Sequence, residues 1–190
     1  MMRAVLTLIF TLIVTICGAD ASAAARAAVG DCSAPPATMA RFEPATQPQA
    51  VPTVPFYDGA GRARTFADYR GQPLIVNLWA TWCAPCVQEM PALDRLVELL
   101  RDERIAVLAL SSDRAGAPVV QRFFEAHAIR RLEILIDRQT AVTRALAARG
   151  LPTTVLFDRD GRERGRVVGV AEWDAPDTTA FLKRCLGGQP

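Results

Sequence analysis

Residues 74–80 read Leu-Ile-Val-Asn-Leu-Trp-Ala, and after Thr81 and Trp82 comes Cys83, which opens a stretch of helical periodicity. An apolar run this short and this continuous predicts a central strand covered on both faces. From Ala84 to Leu100 the apolar positions Val87, Met90, Leu93, Val97 and Leu100 step by three or four, with Asp94, Arg95, Glu98 and Arg101 on the other side. Pro91 falls inside this helix and is expected to kink it. A buried strand that runs straight into a helix requires a layered α/β architecture around a sheet. It also fixes Cys83 at the helix start and Cys86 one turn deeper.

The rest of the pattern alternates in the same way. Val54 to Tyr57 reads as a short strand, followed by turn signals at Asp58-Gly59 and Gly61. Ile105 to Leu110 is a second buried strand. Pro118 to His127 is a helix with Val120, Phe123, Phe124 and His127 on one face. Leu132 to Ile136 reads as a short strand and Ala141 to Arg149 as a helix. Thr153 to Phe157 and Glu163 to Val168 form a hairpin about Asp158–Gly161, and Pro176 to Leu186 is the last helix. The predicted fold is α/β, a mixed central sheet with helices on both faces.

The amino terminus is a targeting segment. Arg3 and the terminal amine precede an uncharged apolar run from Ala4 to Gly18, and Ala21-Ser22-Ala23 fits a small-residue cleavage site. As a helix that run spans roughly 22 Å, short of the ~30 Å hydrocarbon core. A signal peptide over residues 1–23 is therefore expected in preference to an uncleaved anchor. Ile16 before Cys17 argues against a lipoprotein signal. Residues 24–53 are rich in Ala and Pro and read as an irregular arm, with the folded domain covering residues 54–190. A net charge of +2, with both signs spread along the chain, gives no reason to expect nucleic acid as a partner.

The chemistry lies in Trp82-Cys83-Ala84-Pro85-Cys86. Unpaired N–H groups and partial positive charge at a helix N-terminus favour a thiolate, which makes Cys83 the attacking sulfur and Cys86 the resolving one. A structural zinc site needs four ligands, and the chain has one C-x-x-C pair and one histidine, so neither metal nor cofactor is implied. Trp79 belongs to the core wall beneath the site, and Trp82 to an exposed rim where a partner protein docks. His127 reads as a core-edge histidine. Once the signal and the C-x-x-C pair are assigned, Cys32 and Cys185 remain. In an oxidising compartment they are expected to pair, the alternatives being two buried thiols or an intermolecular bridge.

The run Val76-Asn77-Leu78-Trp79-Ala80-Thr81-Trp82-Cys83-Ala84-Pro85-Cys86, then Glu89-Met90-Pro91, Gly150-Leu151-Pro152-Thr153 and Asp158-Arg159-Asp160-Gly161, resembles the thioredoxin superfamily, in particular its TlpA-like periplasmic thiol–disulfide oxidoreductases. The likeness runs from about Val54 to Leu186. It implies a thioredoxin fold with an N-terminal hairpin and a strand–helix insertion within Asp113 to Ile136. It also implies a periplasmic location and a reducing role connected with cytochrome c or cytochrome oxidase assembly. Pro152 matches the family's cis-proline, whose neighbours Leu151 and Thr153 would meet a substrate peptide. Asn77 stands where cytoplasmic thioredoxins carry a buried Asp, and an amide cannot take the Cys86 proton as a carboxylate can. Glu89, three residues after Cys86, is either its substitute or a surface residue favoured by the helix dipole.

Oxidants and isomerases of the superfamily usually place His where Pro85 stands. Proline supplies no such charge or donor, so a reductase is expected, acting on a disulfide-bearing protein and drawing on a membrane thiol donor. Ala147-Ala148-Arg149-Gly150-Leu151-Pro152-Thr153 departs from the stretch typical of dedicated cytochrome c maturation proteins. The alternative from another class is a copper-handling thioredoxin-fold carrier. Those proteins space their cysteines by three residues and place a His near the cis-proline, where His127 does not obviously fall.

Overall fold

The computed structural model describes residues 30–187. The expected signal peptide, residues 1–23 with Cys17, lies outside the described residues. Eight strands form one mixed sheet: β1 Phe42–Pro44, β2 Phe56–Asp58, β3 Ala63–Arg64, β4 Leu74–Trp79, β5 Ala106–Ser111, β6 Leu135–Ile136, β7 Thr153–Phe157 and β8 Glu163–Val168. Their spatial order is β1-β8-β7-β4-β5-β6-β2-β3. β4 and β5 run parallel, as do β5 and β6, while β4 and β7, β7 and β8, and β2 and β3 are antiparallel. Four α-helices accompany the sheet: α1 Ala84–Leu99, α2 Ala117–Ala126, α3 Ala141–Ala145 and α4 Pro176–Leu186.

Alternation along the central strands divides the core in two. Ile75 and Trp79 of β4, Val107 and Ala109 of β5, Leu156 and Val167 pack with the buried sides of α1, α2 and α4. Val76 and Leu78, Leu108 and Leu110, Val155 and Phe157 pack with Val142 of α3 and Phe66 of a short 3-10 turn. Asn77 shares the α1 face by the same period, between Ile75 and Trp79. All six residues of β4 are buried, as a strand covered on both sides requires. The N-terminal hairpin is β2–β3, and α2 with β6 is the inserted helix–strand unit between β5 and α3.

Several elements differ from the sequence expectation, each for a local reason. The arm does not stand off the domain. Met39 and Phe42 are buried, Phe42 meets Phe181 of α4 edge-on at 5.1 Å, and β1 adds an antiparallel edge strand to β8. Two apolar side chains with a ready pocket suffice to seat a segment that has no periodicity of its own. A Cβ at Gly165 would lie 2.4 Å from the Phe42 ring, so β1 packs here only because β8 presents a glycine. Packing therefore begins well before Val54.

The strand expected over 132–136 is only β6; its expected first residue, Leu132, gives its N–H to the Asp94 carboxylate, as do Arg130 and Arg131 before it. That makes Asp94 a buried residue of α1, not a member of its solvent side. The helix expected over 141–149 stops at Ala145, and Ala147 takes a left-handed φ of 51°. α1 itself continues through Pro91 to Leu99.

Candidate active site

The β4–α1 junction places the two cysteines. Cys83 caps α1 in an extended conformation, its Sγ accepting the Cys86 N–H at 3.3 Å, and Pro85 occupies the first turn, where a missing N–H costs nothing. The two cysteines are joined as a disulfide with Cα atoms 5.2 Å apart. Cys83 keeps 6% exposure and Cys86 none, so of the pair only the capping residue reaches solvent. Trp82 is 69% exposed beside it, whereas Trp79 is fully buried against Phe123 and Phe124. The Leu151–Pro152 peptide is cis. Thr153 Oγ1 donates to the Gly150 carbonyl, and the Pro152 carbonyl accepts the Gly169 N–H. Trp82 and Leu151 line one groove of about 560 Å³ together with Ser112, Arg114 and Thr143.

Beneath the disulfide lies a polar cluster inside the core. Asn77 Nδ2 donates to Glu89 Oε1 at 2.9 Å and to Thr154 Oγ1 at 2.9 Å. Trp173 Nε1 donates to Glu89 Oε2 at 2.9 Å. Asn77 and Thr154 are register partners on β4 and β7, which is why they share a face. Glu89 is buried, so the reading of it as a surface residue does not hold. Burial outweighs the hydrogen bonds from Trp173, Asn77 and the Ala171 backbone and pushes its carboxyl up from 4.5 to about 7. An acid that titrates near neutrality, one turn along the helix from Cys86, is suited to accepting and returning a proton.

Two members of this cluster were not singled out in the sequence. Thr154 could have been found from strand pairing with Asn77. Trp173 lies in the loop between β8 and α4, where no periodic signal marks it. Asp113 is a third missed residue. Its carboxylate accepts from Thr81 N at 2.8 Å, Thr81 Oγ1 at 2.7 Å and Ser111 Oγ at 2.8 Å, which fastens the loop before Cys83 to the end of β5. His127 is exposed at the end of α2, not at the core edge. Its ring lies 4.1 Å from that of Phe123, and Nδ1 meets the Phe123 carbonyl at 2.9 Å. Cys32 and Cys185 form a second disulfide, Cα–Cα 4.5 Å, away from this cluster at the foot of α4. Among the described residues no group of three or more His, Cys, Asp or Glu side chains could hold a metal ion.

A C-x-x-C disulfide at the mouth of a strand–helix junction, next to a cis-proline on a mixed sheet, defines a protein of thioredoxin type. A profile of the AhpC/TSA family matches residues 47–164, and the chain belongs to that family within the thioredoxin superfamily. Among curated relatives it is 35% identical over 114 residues to the thiol-disulfide oxidoreductase ResA of Geobacillus thermodenitrificans, which covers 59% of this chain and 63% of that protein. The ResA of Geobacillus kaustophilus is 34% identical over the same shares. The match thus spans under two thirds of the length of these relatives. Among solved structures, a secreted thiol-disulfide isomerase from Corynebacterium glutamicum superposes with TM-score 0.62 at 20% identity, covering 75% of this chain and 92% of that one. A thioredoxin-family thiol:disulfide interchange protein from Chlorobium tepidum gives 0.61 at 22%, covering 75% and 99%. These structures share the fold. Among the described residues no helix is long and apolar enough to cross a membrane.

Proposed function

We propose that this protein reduces disulfides of other proteins in the bacterial cell envelope by thiol–disulfide exchange through Cys83 and Cys86. The observation that carries the reading is the placement of the pair. Cys83 caps α1 and keeps a small residual exposure beside an exposed tryptophan, while Cys86 is fully buried one turn before a buried acid. In the reduced enzyme the Cys83 thiolate attacks a substrate disulfide and releases one substrate thiolate. Cys86 then attacks Cys83 Sγ, expels the second and closes the Cys83–Cys86 disulfide. Two electrons pass to the substrate. The proton leaving Cys86 is taken by Glu89, whose carboxylate is held by Asn77 and Trp173.

The reducing direction rests on Pro85, which gives the Cys83 thiolate no charge or donor beyond the helix end. The kinship with proteins named ResA supports the reaction class. We place the protein in the periplasm after export by its N-terminal segment, with a membrane thiol protein resupplying electrons. Cytochrome assembly is the process in which such a reductant serves.

The test is a mixed-disulfide trap in the full chain. A Cys86→Ser variant should accumulate covalent complexes with disulfide proteins through Cys83, and Cys83→Ser should neither trap nor turn over. Complexes formed through Cys86 alone would reverse the roles. A potential for the pair near about −120 mV, at the oxidising end of the superfamily, would make it an oxidant instead.

A further inference from the structure

The groove beside the disulfide does not end at Leu151. Ser112, Asp113, Arg114, Ala115 and Thr140 line both it and a larger cleft of about 930 Å³ that continues toward the β2–β3 hairpin. That volume is of the size that receives a ligand or a stretch of peptide. Three guanidinium groups, those of Arg114, Arg138 and Arg144, stand on its walls. None of the three is paired with a carboxylate among the described residues.

Two of these groups are held in place. Arg138 lies over the Tyr57 ring, 4.2 Å from its centroid. Arg144 donates to the Gln139 carbonyl and, at 2.8 Å, to Thr140 Oγ1. Gln139 and Thr140 are consecutive non-glycine residues in the left-handed region, with φ of 57° and 55°. Such conformations persist where the surroundings enforce them, and here the enforced segment carries the rim that fixes Arg144. The two acidic side chains lining the cleft are committed to hydrogen bonds within the protein. Asp58 is buried and accepts from Ala60 N, Arg62 N and Arg62 Nε, and Asp113 is buried and committed to Thr81 and Ser111. Three guanidiniums without a carboxylate partner among the described residues, against the single anchored carboxylate of Asp113, leave the cleft's unpaired side-chain charge positive.

From this we propose that the cleft is a specificity subsite for acidic residues that flank the target disulfide of a substrate protein. It rests on the reading of Cys83 and Cys86 as the exchanging pair. A substrate seated over Trp82 and Leu151 extends one of its flanks past Arg114 into the cleft. Carboxylates on that flank then meet Arg114 and Arg138, a fit of planar donors to carboxylate oxygens. The arrangement selects among protein disulfides by their surroundings and leaves the exchange chemistry unchanged.

The experiment compares two synthetic peptides with the same disulfide loop, one flanked by Asp and Glu and the other by Lys. Each is given to the reduced full chain at low ionic strength, with a small uncharged aromatic disulfide as a third substrate. The acidic peptide should show a kcat/KM about tenfold above the basic one, the scale of two partly exposed ion pairs. The preference should shrink as ionic strength rises from about 0.05 to about 0.5 M. Arg114→Glu and Arg138→Gln, tested singly, should each lower the acidic-to-basic ratio. That ratio is internal to each protein and so does not depend on how much of a variant is folded. Equal kcat/KM for both peptides in the unaltered protein, or a ratio unmoved by both substitutions, overturns the subsite. Failure to reduce even the small disulfide is a different result and overturns the oxidoreductase reading itself.

Discussion

In the proposed mechanism Glu89 receives the Cys86 proton and Asn77 positions its carboxylate. Asn77 presents Nδ2 to Glu89, which suits an ionised carboxylate. A primary amide offers an acceptor at the same spot after a half-turn, so the pair fits both protonation states of Glu89 without moving the backbone. The consequence is a measurable pH dependence. The folded-state value of about 7 lies above the ordinary 4.5. Protonated Glu89 therefore contributes stability that is complete below 4.5 and is lost as pH rises through about 7. The whole effect is on the order of 3 kcal/mol, and Glu89→Gln should flatten this part of the stability–pH curve. In catalysis Gln cannot accept the Cys86 proton. Resolution of a preformed mixed disulfide should slow by about 100-fold in Glu89→Gln, with the inflection near neutrality gone from the rate profile. Stopped-flow measurement from pH 5 to 9, as roughly spaced points, decides it. An unchanged profile would leave Glu89 a structural acid only.

At the scale of elements, the informative cases are those where a side chain and not a periodicity sets a boundary. β4, β7, β8 and α4 could be read directly, because strand alternation and helical spacing are the same forces that pack them. The C-x-x-C at the β4–α1 junction was equally legible, since capping and burial follow from local order. β6 was legible only in part. Its expected first residue, Leu132, is claimed by Asp94, a carboxylate from a helix 36 residues before Arg130 that accepts three successive backbone N–H groups. A pattern analysis assigns an Asp on a helix to solvent, and only the tertiary structure brings it against a loop with unpaired donors. Trp173 was invisible for the same reason, because its contact with Glu89 spans 84 positions. β1 escaped because Phe42 and Met39 need no alternation to dock. The prediction at this scale concerns Asp94. Asp94→Ala strands three donors next to the core, so it should cost about 2–4 kcal/mol in urea unfolding. Asp94→Asn, which keeps one acceptor oxygen, should recover part of that loss. Equal stability of Asp94→Ala and the unaltered protein would show that water or the chain satisfies those N–H groups without it.

The molecule as a whole is closed by a link between its first described segment and its last helix. Cys32 and Cys185 are joined across 153 positions, while Phe42 against Phe181 and β1 against β8 seat the intervening chain. Hydrogen bonds from Arg164 to the Gly30 carbonyl and from Arg184 to the Ala34 carbonyl hold the same stretch. Backbone bonds from Glu172 to Thr38 and from Ala45 to Arg164 and the burial of Met39 add to these contacts, and the covalent link reinforces a segment that packing already seats. A cross-link over so long a loop restricts the unfolded chain strongly, which puts its contribution at about 2–5 kcal/mol. Replacing both cysteines, Cys32→Ala with Cys185→Ala, should therefore lower the unfolding free energy by that amount and bring the urea midpoint down with it. The dependence on denaturant should steepen, because the unfolded chain without the link exposes more surface. Both disulfides line the same half of the core, but one sits at the β4–α1 junction and the other at the end of α4, so the reduction potential of the Cys83–Cys86 pair should be the same in both proteins. Coincident urea midpoints would defeat the stabilising role. A shifted potential would instead mean that the second disulfide communicates with the first through the half of the core that they share.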